Sequence, residues 1–366
     1  MYYMEKVKTH NKTGKYRQRV YQVLIEQNFI IGNEEKKIIK ERTSNERRYF
    51  FMVAKRVEGK KIVERFIKIP ENNSKKILVP FQRQIEMAKY LSAKQIIKTR
   101  NIIASNYNPK KEIPFVIMET FPRGHSKIGF IENNKGVELL GVREAQYTIN
   151  QIKKFHSISI KSLPPKLRKN LKVYSGDYKN FRQKIFKYLN KKVRPLDKRG
   201  KPEIFHDVLE RRIGIINLKN KVRGLLTKLE PIIDSRKNQS NSIVHGDMAP
   251  NNLYIFDSGD VELLDLEWVG ISKNKALAMI IDFGNLRARS WSNKKFRKAL
   301  DVALIKTYRA QKQEELGKAI VQLSILRSHI QLSGYFENYK QEKQKDSMQT
   351  RRRNSTERDI LQIFSK

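Results

Sequence analysis

Residues 243–268, IVHGDMAPNNLYIFDSGDVELLDLEW, set polar side chains suited to metal and proton chemistry at both ends of a short apolar pattern. His245, Asp247, Asn251 and Asn252 precede the apolar run 253–256, and Asp265 and Glu267 follow a second run, 261–264. The turn Asp257-Ser258-Gly259-Asp260 between the runs predicts a β-hairpin. Folding that hairpin would bring Asp247 and Asn252 beside Asp265, eighteen positions further along the chain. Two carboxylates and an amide form an oxygen-rich set of the kind hard Mg²⁺ needs around phosphates. A surface hairpin whose Asp and Asn residues only shape turns explains the same letters.

The segment resembles the catalytic core of the aminoglycoside phosphotransferase and choline kinase superfamily, whose fold is that of eukaryotic-like protein kinases. The His-Gly-Asp-x-x-x-x-Asn loop of that superfamily is matched by His245, Gly246, Asp247 and Asn252, and its metal-binding Asp-x-Glu by Asp265 and Glu267. The resemblance implies Asp247 as the group that orients or deprotonates an acceptor hydroxyl. It implies Asn252 and Asp265 as magnesium ligands, with His245 bracing the loop. The fold class implied is α+β, a two-lobed protein-kinase-like fold with a small antiparallel β-sheet lobe and a mainly helical large lobe. The activity implied is Mg²⁺-dependent transfer of the ATP γ-phosphate to a hydroxyl of a small molecule.

Other elements must position this chemistry. From Phe29 the sequence reads as β, with strands expected near 36–41, 48–57 and 61–69 and a turn at Glu58-Gly59. In the third, Ile62, Phe66 and Lys68 share a face by the period-2 rule. An ammonium on that apolar side needs an anionic partner, or else snorkels out at a sheet edge. The resemblance makes Lys68 the lysine that contacts the nucleotide phosphates and Glu86 the helix acid that pairs with it. Pro80 is expected to open that helix, with Ile85, Ala88 and Leu91 or Ser92 turned inward. Thr43-Ser44-Asn45 stands where protein kinases carry a glycine-rich turn, and Ser44 and Asn45 there would donate to a β-phosphate. A plain Asn turn suits the same residues. The apolar stretch 113–121 predicts a strand, which the resemblance makes the hinge, where backbone groups of Met118, Glu119 and Phe121 would meet the adenine edge.

Residues 142–156 predict a helix ending at Phe155-His156, where His156 is a packing and hydrogen-bonding residue. Helices are also expected at 181–189, 216–229, 293–309 and 312–340, with a loop at 194–202. A second Asp-Phe-Gly, at residues 282–284, sits in the helical pattern KALAMIIDFGNLRARSW and is not the metal motif. The resemblance implies that Asp282 supports the catalytic loop from behind. The domain boundaries expected are an extension at 1–30, a nucleotide-binding lobe at 31–121, a helical catalytic and acceptor-binding lobe at 122–341 and a polar tail at 342–366.

The chain of 366 residues lacks cysteine, which excludes disulfides, thiol nucleophiles and sulfur-based zinc sites. No apolar run approaches the roughly 18 residues of a membrane span, and no signal-peptide pattern opens the sequence, so a cytoplasmic protein is expected. With 77 Lys and Arg against 37 Asp and Glu, the formal charge is +40. Such a surface is either generally solvated or makes non-specific contact with anionic polymers or a membrane surface. Two other readings stay open: a catalytically degenerate kinase-fold regulator and a basic nucleic-acid-associated protein. Few acids fall between 157 and 241, which fits a polycationic acceptor poorly.

Overall fold

The computed structural model describes residues 2–44, 48–108, 113–120, 126–128, 140–190, 214–290, 293–337, 358–359 and 361–364. The chain divides into two compact units. The first comprises Met1–His125, Pro164–Asn170 and Leu264–Trp268, and the second Ser126–Leu163, Leu171–Leu263 and Val269–Lys366.

The first unit is built on an antiparallel sheet of β1 (Tyr49–Glu58), β2 (Lys61–Pro70), β3 (Ile102–Asn106) and β4 (Phe115–Glu119), in the order β1-β2-β4-β3. Strand alternation sends successive residues to opposite faces. On one face Phe50, Met52, Ala54, Ile67, Ile69 and Ile117 pack with Tyr16, Val20, Val23 and Leu24 of α1 (Tyr2–Glu26). On the other, Tyr49, Phe66, Val116 and Met118 pack with Ile77, Phe81 and Ile85 of α3 (Lys75–Ala93). Lys68 shares this second face and is only 7% exposed.

Two expectations fail here. The strand expected at 36–41 is the helix α2 (Asn33–Ser44). Glu34 and Glu35 in its first turn favour the positive end of the helix dipole, and Ile39 and Thr43, one turn apart, form its buried side. The Thr43 hydroxyl donates to the Ile39 carbonyl at 2.6 Å, so Thr43 and Ser44 close a helix and do not form a turn between strands. Pro80 lies inside α3, which begins at Lys75 after Ser74; the helix runs through the proline because its buried stripe of Ile77, Phe81 and Ile85 spans it. The expected inward set of Ile85, Ala88 and Leu91 is buried.

In the second unit a short antiparallel sheet joins β5 (Ser126–Ile128), β8 (Leu253–Phe256) and β9 (Val261–Leu263), the last two forming the expected hairpin. A mixed sheet has the order β6-β10-β7, from β6 (Lys172–Ser175), β7 (Ser242–Val244) and β10 (Gly270–Ser272). The helices of this unit are α4 (Val142–His156), α6 (Tyr178–Asn190), α7 (Ile215–Ile233), α8 (Lys275–Arg289), α9 (Lys294–Arg309) and α10 (Glu314–Glu337), while the short α5 (Pro165–Lys169) belongs to the first unit. Helix α8 is buried continuously from Ala276 to Arg287, as a helix at the centre of a bundle must be. The loop at 194–202 and most of the tail lie outside the described residues. Among the described residues no helix is long and apolar enough to cross a membrane.

The hairpin turn depends on Gly259, whose φ of +90° is disfavoured for a side chain and whose added Cβ would stand 2.8 Å from the Tyr147 ring. Gly59, at φ +59°, has open space around it. Gly259→Ala should therefore cost about 2–4 kcal/mol, from left-handed strain plus overpacking, and Gly59→Ala about 1–2 kcal/mol from strain alone. Urea unfolding of the two variants, each followed in its own unit, checks the difference.

Candidate functional site

Among the described residues, each unit holds a polar constellation built on the candidate residues. In the second unit, β7 ends at Val244 and the chain turns through Gly246, whose φ is +80°. This turn aims two successive backbone N–H groups at one carboxylate. Asp282 Oδ2 accepts from His245 N at 2.8 Å, and Oδ1 accepts from Gly246 N at 2.8 Å. His156 Nε2 lies 2.8 Å from Oδ2, and its own carbonyl accepts the Ser242 hydroxyl at 2.9 Å. Burial penalises the Asp282 charge, but the hydrogen bond from His156, the neighbouring imidazoles and the Gly246 amide hold its carboxyl below the usual carboxylate range.

The same helix touches the loop twice more. Asn285 Nδ2 donates to the Gly246 carbonyl at 3.1 Å, with its amide oxygen held by Arg327 at 3.0 Å. Arg289 Nη2 lies 2.6 Å from Asp247 Oδ1. Asn252, in the 3₁₀ turn Pro250–Asn252, donates from Nδ2 to the Asp247 carbonyl at 2.7 Å and to Oδ2 at 3.3 Å. His245 is fully buried against Phe155, and its Nδ1 faces the Asp247 amide at 3.4 Å. Asp247 thus has its backbone fixed and its carboxylate partly exposed.

In the first unit, Lys68 Nζ donates to Gln84 Oε1 at 2.8 Å, to Asp265 Oδ1 at 3.3 Å and to Glu267 Oε1, and lies 4.3 Å over the Tyr49 ring. Arg83 binds the Glu267 carbonyl at 2.6 Å and the Asn170 carbonyl at 2.7 Å, tying α3 to the segment that carries both acids. Burial opposes the Lys68 charge, yet the two carboxylates outweigh it and hold the ammonium above the usual lysine range. Burial raises the Glu267 carboxyl, with Lys68 opposing and Asp265 adding to the rise. Of the two acids, Asp265 is the more exposed, and it sits at φ +53°, a left-handed conformation that costs energy for any residue but glycine.

The expected pairing of Lys68 with Glu86 is not what the structure has. Glu86 Oε1 accepts from Gln82 at 3.1 Å and meets Lys166 at 3.5 Å, while Gln84 takes the place beside the lysine. Ile85 is turned into the core, and Gln84 and Glu86 flank it in different directions, so an inward stripe alone does not say which neighbour reaches the sheet. Ser44 ends α2, away from the turn expected of it, and Asn45 and Phe121 lie outside the described residues. Met118 is buried in β4. The Glu119 N–H donates to the Asn101 carbonyl at 3.1 Å, and the Thr120 carbonyl accepts from Arg100 at 2.8 Å. Sequence reasoning missed Gln84 and Arg289; the second was signalled only by its spacing of seven from Asp282, two helical turns along one face.

Among the described residues no group of three or more His, Asp or Glu side chains is arranged to hold a metal. A Mg²⁺ ion completed by phosphate oxygens and water needs only one or two protein ligands, and carboxylate and amide oxygens are of the right type.

No protein-family profile matches the sequence, and no curated protein matches it. Solved structures do. An ethanolamine kinase of Plasmodium vivax aligns over 95% of this chain and 93% of its own, with a TM-score of 0.50 and 14% identity. An ADP-bound aminoglycoside phosphotransferase, APH(2'')-Ib, aligns over 91% and 99% with a TM-score of 0.45 and 12% identity. The choline kinase LicA of Streptococcus pneumoniae aligns over 91% and 100% with a TM-score of 0.44 and 11% identity. The chain has a protein-kinase-like α+β fold, as the ethanolamine kinase does.

Two outcomes follow from this geometry. Asp282→Asn should lower stability at neutral pH by about 3 kcal/mol, the scale of breaking a buried charged network. Because the folded carboxyl lies below its unfolded value of about 4, its contribution is present above that pH and lost as pH falls through the folded value. Acid unfolding of Asp282→Asn should therefore show a weaker pH dependence below about 4 than the parent. Lys68→Met should also destabilise by about 3 kcal/mol, because Glu267 is left buried without its cation, and Lys68→Met/Glu267→Gln should recover most of that loss in melting experiments.

Proposed function

We propose that the chain is a phosphotransferase that moves the γ-phosphate of ATP to a hydroxyl of a small molecule with Mg²⁺. The observation that carries this reading is the difference between two aspartates of the second unit. Asp282 is buried, and its carboxylate is spent on the loop amides and His156. Asp247, on the loop so braced, keeps a partly exposed carboxylate. A turn-forming surface hairpin has no need of a buried acid behind it.

In this reading Asp247 accepts the proton of the acceptor hydroxyl as its oxygen bonds to the γ-phosphorus and the bond to the ADP oxygen breaks. Lys68 offsets phosphate charge, and Glu267 and Gln84 orient it. Asp265 and Asn252 are the residues assigned to Mg²⁺, which when bound would neutralise charge on the phosphates. Met118 and Glu119 are assigned to the nucleotide base. Such an ATP-dependent reaction belongs in the cytoplasm.

Calorimetric titration with an ATP analogue, with and without Mg²⁺, tests the nucleotide half. Lys68→Met/Glu267→Gln should bind it about tenfold or more weakly, the scale of a lost charge-assisted hydrogen bond. A phosphoryl-transfer screen over alcohols, sugars, choline, aminoglycosides and proteins tests the rest. There Asp247→Ala should keep nucleotide affinity and lose transfer by about 100-fold or more. Salt-sensitive retention on nucleic acid with no nucleotide binding would support a scaffold role instead.

A further inference from the structure

Helix α8 meets the loop at three positions on one face, Asp282, Asn285 and Arg289. The first two hold backbone atoms. The third holds the side chain proposed to receive the acceptor hydroxyl. A brace is already complete without Arg289, because the His245 and Gly246 amides, the Gly246 carbonyl and Asn252 are all engaged by other groups. What Arg289 adds is a positive charge 2.6 Å from Asp247, in a pair whose side chains are 22% and 23% exposed.

Resting on the phosphotransferase reading above, we propose that Arg289 is a specificity-determining residue and that the acceptor is a hydroxylated anion, carrying a carboxylate or phosphate a few bonds from the hydroxyl that is phosphorylated. A hydroxyl within hydrogen-bonding reach of Asp247 brings the rest of a small acceptor within a few ångströms of the guanidinium. At that range the guanidinium can pair with an oxyanion of the acceptor while Asp247 engages the hydroxyl, whereas a cationic group gains no partner from it. A guanidinium also matches the geometry of carboxylate and phosphate oxygens.

Among the described residues of the second unit, four carboxylates already face arginines: Asp301 and Asp359 are held by Arg287, Glu230 by Arg182 and Glu314 by Arg309. The net charge of +40 adds a long-range attraction for anions.

The test is a charge series of acceptors assayed by ADP release with Mg²⁺ and ATP. Hydroxy acids such as glycerate, phosphorylated alcohols such as glycerol 3-phosphate, neutral glycerol and cationic choline would be run against the parent, Arg289→Lys, Arg289→Gln and Arg289→Glu. The parent should show kcat/KM at least about tenfold higher for an anionic acceptor than for glycerol or choline, as like-charge discrimination at close range allows. Arg289→Lys should keep that preference with a raised KM, Arg289→Gln should flatten it and Arg289→Glu should invert it. The hydroxy-acid and phosphate arms tell which oxyanion is recognised. A parent preference for choline or glycerol, or a preference unchanged in a folded Arg289→Glu, overturns the assignment and leaves phosphoryl transfer standing. Turnover of no acceptor with nucleotide binding intact also overturns it. Loss of nucleotide binding in the parent itself overturns the phosphotransferase reading beneath it.

Discussion

The second unit depends on a carboxylate that water cannot reach. Asp282 lies in a helix buried along most of its length, where an uncompensated charge would be very costly. Two amides of one loop and one imidazole meet that cost. The arrangement is reciprocal. The loop needs an acceptor for N–H groups that the left-handed turn at Gly246 aims inward, and the helix needs donors for its acid. The position of Asp247 relative to α8 is therefore set by electrostatics as well as by packing.

The first unit solves a related problem with opposite sign. Lys68 is brought into an apolar face by strand alternation and is held by acids from a segment far along the chain, with an amide from α3 completing its shell. Because Gln84 is neutral, the charge balance falls on Asp265 and Glu267. The better buried Glu267 is the structural counter-ion. Asp265, more exposed and held in a left-handed conformation, keeps its carboxylate at the surface of the cluster.

Much of this was legible in the residues. The two apolar runs around Asp-Ser-Gly-Asp named the hairpin, and the alternation through Ile62, Phe66 and Lys68 named the face on which the lysine lies. The helical spacing around Asp282 placed it in α8. Local pattern misled where a short segment fits two periods. Lys-Lys-Ile-Ile-Lys reads as a strand until the acidic first turn and the Ile39–Thr43 pair are weighed together. Pro80 suggested a helix start, although tertiary burial carries the helix through it. The choice of Gln84 over Glu86 is a side-chain direction that no spacing in the chain encodes, and for Arg289 the spacing of seven from Asp282 gives the helix face but not the reach to Asp247.

Lys68 and Glu267 stand 199 positions apart, and the segment Leu264–Trp268 completes the first unit only after most of the second has been threaded. During synthesis the sheet and α3 emerge long before either acid, so the nascent lysine face waits without a counter-ion. Closing so long a loop is slow, and the ion pair cannot serve as a nucleus for the sheet. The order of events is imposed by topology: a hydrophobic sheet first, its buried cation neutralised last. A ribosome-bound chain that stops short of residue 264 would carry a first unit that is collapsed but electrically incomplete.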